Sequence, residues 1–212
     1  MRHPIRHAIV HNLDERKADQ NSDAQPIILL LHGYGANEKD LIDIVPFLKL
    51  THAWVSLRGG LATQHGGFAW FPLAAPGIPN VDDVVDATED IWHWIDENLS
   101  ADSPLIVIGF SQGGLMASQL LRTRPSRILD TVILSGFVLQ GSQPADAELM
   151  QSKPRVFYAR GLQDGVISPV AVERTYDWLR HHSRASVPTY DGLGHSIDNR
   201  VLRDVEAHLS AR

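Results

Sequence analysis

Cysteine is missing from the sequence altogether, which excludes disulfides, cysteine nucleophiles and thiolate metal sites. Missing too is any apolar run near the roughly 18 residues that would suggest a membrane span. The N-terminal stretch MRHPIRHAIVHNLDERKADQ lacks the continuous apolar centre of a secretory signal. Positive charge is scarce: 19 Lys and Arg stand against 25 Asp and Glu, a formal net charge of −6, and no basic run interrupts the chain. Nucleic acid is therefore not an expected partner. There is no internal repeat, no low-complexity tract and no H-E-x-x-H. The segment HGYGANEKD lacks the G-K-[ST] ending of a phosphate-binding loop. The expectation is a soluble, cytoplasmic protein without stable membrane insertion, folded as a single domain over residues 1–212.

What the chain does have is alternation. Short apolar runs rich in Val, Ile and Leu fall at Pro26–Leu31, Ala53–Leu57, Pro104–Ile108, Thr131–Leu134, Arg155–Ala159 and Ser186–Tyr190. They are continuous rather than alternating in polarity, as strands covered on both faces require. Between them lie the helical stretches Leu41–Leu50, Val81–Leu99, Leu115–Arg124, Pro169–His182 and Ile197–Leu209. In the second of these, Val84, Val85, Thr88, Ile91, Trp92, Ile95 and Leu99 recur at three and four residues and define one apolar face. Strand and helix in repeated succession predict a mostly parallel sheet with helices on both faces. An N-terminal strand around Ile5–Val10 is expected to add antiparallel at one edge. Two segments break the rhythm and read as long loops, Gly59–Pro79 and Gln140–Lys153.

In such sheets ligands bind beyond the carboxyl ends of the strands. His32-Gly33-Tyr34-Gly35 follows the first long run, and Gly109-Phe110-Ser111-Gln112-Gly113 follows the third. Asp164 and His195 follow the last two. A serine in a G-x-S-x-G turn, then an acid, then a histidine is the chain order of the α/β-hydrolase triad. Each member answers a chemical need. The Ser111 hydroxyl requires a base to become nucleophilic, His195 supplies it, and Asp164 orients and stabilises the imidazole. The tetrahedral oxyanion requires donors, for which the backbone N–H groups of Gln112 and Tyr34 are the candidates.

Asp191 and Asp198 are the rival acids, and Asp164 also suits a helix cap near Ser168. His3, His7 and His11 share a spacing of four but lack an accompanying acid pattern, so no metal site is expected. Trp92 and Trp94 read as core and helix surface. Phe68, Trp70 and Phe71 sit in the first long loop as candidates for an acyl-binding wall, with ordinary loop packing as the alternative. Leu162 and Ile167, on either side of Asp164, join them as candidate substrate contacts.

The segments LLLHGYGANEKDLIDIVPFL, GGFAWF, IVIGFSQGGLMASQLL, VILSGF, GLQDGVISP and GLGHSI resemble the phospholipase/carboxylesterase family of α/β-hydrolases, which includes acyl-protein thioesterases. They run from Ile28 to Ile197 in the family's order. The resemblance implies an α/β-hydrolase fold without a large cap domain, no cofactor, and a possible homodimer. It implies Ser111, Asp164 and His195 as triad, with Tyr34 and Gln112 supplying the oxyanion amides. Arg160 departs from the pattern, since relatives commonly carry His before the glycine. The implied function is hydrolysis of small-molecule carboxylic esters of short to medium acyl chain through an acyl-enzyme. The alternatives are a lysophospholipase, an acyl-protein thioesterase, or a non-catalytic hydrolase fold used for binding.

Overall fold

A computed structural model describes residues 2–13, 25–73 and 78–211. The strands are β1 (Ala8–His11), β2 (Ile27–Leu31), β3 (Trp54–Leu57), β4 (Leu61–Ala62), β5 (Phe68–Ala69), β6 (Leu105–Phe110), β7 (Ile128–Leu134), β8 (Arg155–Gly161), β9 (Arg184–Ser186) and β10 (Thr189–Tyr190). The α-helices are α1 (Val81–Asn98), α2 (Gln112–Thr123), α3 (Asp146–Ser152), α4 (Pro169–His182) and α5 (Asn199–Ser210). The main sheet runs β1-β3-β2-β6-β7-β8-β10, with β9 also paired to β8. Only β1 is antiparallel, pairing Ala8 with Leu57 and His11 with Trp54 at the edge.

The continuous apolar runs are explained by two-sided burial. Leu29, Leu31, Val55, Val107 and Leu105 face α1 and α2, while Ile28, Leu30, Ile106, Ile108 and Val132 face α5 and a 3₁₀ segment at Ile42–Leu48. Successive residues thus alternate between two cores, and each fully buried Leu or Ile is worth about 1.5–3 kcal/mol. Helix α1 begins at Asn80, whose side chain accepts hydrogen bonds from the Asp82 and Asp83 amides. Its buried face includes Val84, Thr88, Ile91, Trp92 and Ile95. Val85 is exposed instead, and Asp90 is buried in the helix because Arg2 Nε and the His3 amide both donate to its carboxylate.

Four expectations need correction. The stretch Leu41–Leu50 forms 3₁₀ turns rather than an α-helix; Pro46 lies inside it and removes an N–H that an α-helix would use. The apolar run Ser186–Tyr190 divides into β9 and β10, with Val187 and Pro188 between them, since proline cannot donate to a sheet ladder. Gln140–Lys153 is not a plain loop: it carries α3, anchored by buried Leu149 and by Asp146. Gly59–Pro79 contains the antiparallel hairpin β4–β5, and residues 74–77 of it lie outside the described residues.

Candidate active site

Strand β6 delivers the chain to Ser111, which caps α2 with φ +54° and ψ −115°. That conformation is costly for a residue with a side chain and holds the hydroxyl above the sheet edge. The turn closes only with glycine on both sides. A Cβ at Gly109 would lie 2.1 Å from the Gly113 carbonyl oxygen, and one at Gly113 would lie 2.0 Å from that of Leu31. The helix dipole of α2 meanwhile points its positive end at the serine.

The loop after β10 brings His195 to the serine, with its Nε2 2.8 Å from Ser111 Oγ. Its Nδ1 lies 2.8 Å from Asp164 Oδ2. A carboxylate can only accept there, so Nδ1 carries the proton and Nε2 is the basic nitrogen facing the hydroxyl. The Asp164 side chain is fully buried, and its other oxygen accepts from the Val166 and Ile167 amides. The two loops are held in register by backbone bonds from Leu162 N to Tyr190 O and from Gln163 N to Leu193 O.

The other acids have different work. Asp191 accepts from the Gln163 side chain. Asp198 caps α5 rather than lying within it, and pairs with Arg200. Ser168, not Asp164, caps α4.

Gln112 follows the serine directly in the chain, and the loop that carries Tyr34 reaches the serine through Gly33. Gly33 packs against it, a Cβ there falling 3.5 Å from Ser111 Cβ. Among the described residues neither the Tyr34 nor the Gln112 amide has a hydrogen-bond acceptor. Two features around them were invisible in the sequence. The Gln112 side chain accepts from the Trp70 amide at 2.9 Å and donates to the Phe71 carbonyl at 2.8 Å. His32 donates from Nδ1 to the Gly33 carbonyl and accepts at Nε2 from the Gly59 amide. Burial pushes the His32 imidazole below its ordinary value, so it stays neutral in this double role.

Trp70 and Phe71 are placed elsewhere than in an acyl wall. They are 2% and 1% exposed, inside the core cluster of α1 and α2. The Trp70 indole N–H donates to the His32 carbonyl. Nearly nothing of either ring is left to meet a ligand; their loop is apolar because it packs. Phe68 is half-buried under the Arg58 guanidinium, 4.5 Å from its centroid. Leu162 and Ile167 line a groove beside α4 that does not include Ser111 or His195 among its described walls. Of His3, His7 and His11, the last stacks on Trp54 at 5.2 Å. Among the described residues no group of three or more His, Cys, Asp or Glu could hold a metal, and no helix is long and apolar enough to cross a membrane.

A parallel α/β sheet with Ser, His and Asp converging at its carboxyl edge defines the α/β-hydrolase class. Within it, the phospholipase/carboxylesterase family model matches residues 15–212. The chain belongs to that family and is a carboxylesterase-type hydrolase. It is 28% identical to "Putative hydrolase MhqD" of Bacillus subtilis, over 81% of this chain and 86% of that one. It is 24% identical to "Carboxylesterase SOBER1" of Arabidopsis thaliana, covering 89% and 91%. Its fold matches the Bacillus cereus carboxylesterase structure with a TM-score of 0.78 at 20% identity, over 97% and 94% of the two chains.

Proposed function

We propose that this protein, acting as a single α/β-hydrolase domain, cleaves small-molecule carboxylic esters of short to medium acyl chain through an acyl-enzyme. The supporting observation is the unbroken chain of contacts from Ser111 Oγ through His195 to Asp164, 2.8 Å at each step. Ser111 Oγ attacks the ester carbonyl carbon as its proton passes to His195 Nε2. The Gln112 and Tyr34 amides donate to the oxyanion. His195 returns the proton to the departing alcohol, leaving the acyl group on Ser111. A water molecule then repeats the sequence, with His195 as base, and releases the carboxylic acid. No step calls for a cofactor. Asp164 fixes the tautomer and opposes the charge that forms on the imidazole.

The buried Trp70 and Phe71 shift the acyl contacts toward Tyr34, which is exposed beside Gly33. A homodimer and a cytoplasmic location belong to the same proposal, tested by light scattering and by cell fractionation. The decisive experiment is labelling with a fluorophosphonate together with hydrolysis of p-nitrophenyl acetate through dodecanoate and of a matching thioester. Ser111→Ala should keep the wild-type circular dichroism, lose the label and lose several orders of magnitude in kcat. Wild-type turnover by that variant would refute the assignment. A rate rising toward the longest esters, or a preference for the thioester, would replace short-chain ester hydrolysis with the lysophospholipase or thioesterase activity.

A further inference from the structure

Arg160 is the residue that departs from the family pattern, and its surroundings give it a use. Along β8 the odd-numbered residues face the sheet side opposite to Val156, Tyr158 and Arg160. Phe157 and Ala159 join the core under α5, while Val156 and Tyr158 join the cluster of Trp178 and Leu179 from α4. Arg160 continues that second row at its outer end, where it enters the wall of a groove of about 1120 Å³. The groove lies between α4 and the β8–β9 edge. Apolar side chains dominate it, among them Leu162, Ile167, Val172, Tyr176 and Val187.

Of the two arginines there, Arg180 is paired with Asp177 and Arg160 is the one without a carboxylate partner among the described residues. Asp164 also borders the groove, but its carboxylate is committed to His195 and to two loop amides. Asp177 is within 3.9 Å of Arg180 and 3.7 Å of His181. Glu173 is exposed on the rim. Among the described residues no ion pair reaches Arg160, and its Nε is buried without a hydrogen-bond partner. One step further inward Tyr158, 1% exposed, also holds a hydroxyl without a partner. Burial pushes that hydroxyl up, so it remains a protonated donor. Its ring meets the edge of Tyr176, itself a groove residue, at 5.4 Å. Arg160 is half-buried, so part of its unpaired guanidinium meets the groove, and an apolar groove with an unpaired guanidinium in its wall is complementary to an anion with an apolar tail.

We propose that this groove binds a small aliphatic carboxylate, whose oxygens accept from the Arg160 guanidinium while its chain lies along Leu162, Ile167 and Val172. Esterases release acids of this class, and that link alone rests on the activity proposed above; the binding site itself does not. The groove shares a wall with the acid loop but is separate from the serine.

Isothermal titration with sodium octanoate tests it, on protein whose Ser111 has first been blocked with the fluorophosphonate. Labelling reports on the hydrolase reading and titration on the groove, so the two fail separately; if no label is taken up, the titration is run on the unmodified protein. One octanoate per chain should bind, with 1-octanol at least tenfold weaker because it carries no charge. Shortening octanoate to butyrate should weaken binding by up to about fourfold per methylene removed. Arg160→Gln should weaken octanoate at least tenfold, Arg160→Lys should keep most of the affinity, and Glu173→Gln should strengthen it. Absent octanoate binding, equal affinity for octanol, unchanged affinity in Arg160→Gln, or binding abolished by the Ser111 block would each overturn the proposal. The octanol comparison needs only the wild-type protein, so it stands even if the Arg160 variants fail to fold.

Discussion

Ser111, Asp164 and His195 each hold a position that a substitution can interrogate separately. Asp164 has the only carboxylate in contact with the His195 ring among the described residues. Asp164→Asn should therefore lower kcat by up to about 10⁴ through the wrong imidazole tautomer. Asp191→Asn and Asp198→Asn should stay within a fewfold of wild type in the same p-nitrophenyl ester assay. A second residue-scale prediction concerns Glu38, buried against Arg58 in a two-pronged ion pair. The Arg58 hydrogen bonds hold its carboxyl at about 2, against an ordinary 4.5. Because the folded value is depressed, the pair stabilises the protein fully above pH 4.5 and loses that contribution as the pH falls toward 2. Urea unfolding followed from pH 6 to pH 3 should show a shallower acid decline for Glu38→Gln than for wild type.

At the scale of elements, the turn between β6 and α2 tolerates nothing larger than hydrogen at two of its positions. Gly113→Ala would drive a methyl group into the Leu31 carbonyl, a backbone atom of β2 that cannot rotate away. A cost of about 3 kcal/mol is expected, a fall in melting temperature of roughly 6–12 °C by calorimetry. The segment between the β4–β5 hairpin and α1 gives the opposite lesson. Trp70 is held by Gln112, by His32 and by core packing. Trp70→Ala should cost about 3–5 kcal/mol in stability. Its kcat/KM profile from acetate to dodecanoate should run parallel to the wild type, lowered by one common factor. A change in the shape of that profile would return the tryptophan to the acyl site.

Across the whole molecule, α2, α3 and α4 meet at one buried cation. The Arg122 guanidinium on α2 is 2% exposed and donates to both Asp146 oxygens on α3 and to the Leu139 and Gly141 carbonyls. Burial works against the Asp146 carboxylate, yet the bonds from Arg122 hold it below its ordinary value. The Trp178 indole of α4 donates to the same carboxylate. Arg122→Met would leave Asp146 charged and uncompensated, at an expected cost of about 3–5 kcal/mol. The double variant with Asp146→Leu should recover much of that loss in the same denaturation experiment.

Local pattern settled a good deal. Apolar runs without alternation meant strands buried on both faces, and their order with the helices meant a parallel sheet. A serine, an acid and a histidine each just past a strand end had to meet at one sheet edge, because parallel strands all finish there. None of that needs knowledge of a contact. Other features depend on partners far apart along the chain, and composition carries no trace of them. Trp70 and Phe71 look like a ligand wall until Gln112, some forty residues on, is seen to clamp their backbone. The polar stretch around Asp146 holds a helix whose first acid is paired with Arg122, 24 residues earlier. Arg160 shows in the sequence only as a departure from the family pattern, and it is the packing of α4 against β8 and β9 that leaves its charge unpaired beside an apolar groove. Periodicity records which face of an element is buried; what lies against that face is fixed by the tertiary fold, where the balance of packing, hydrogen bonding and charge is struck.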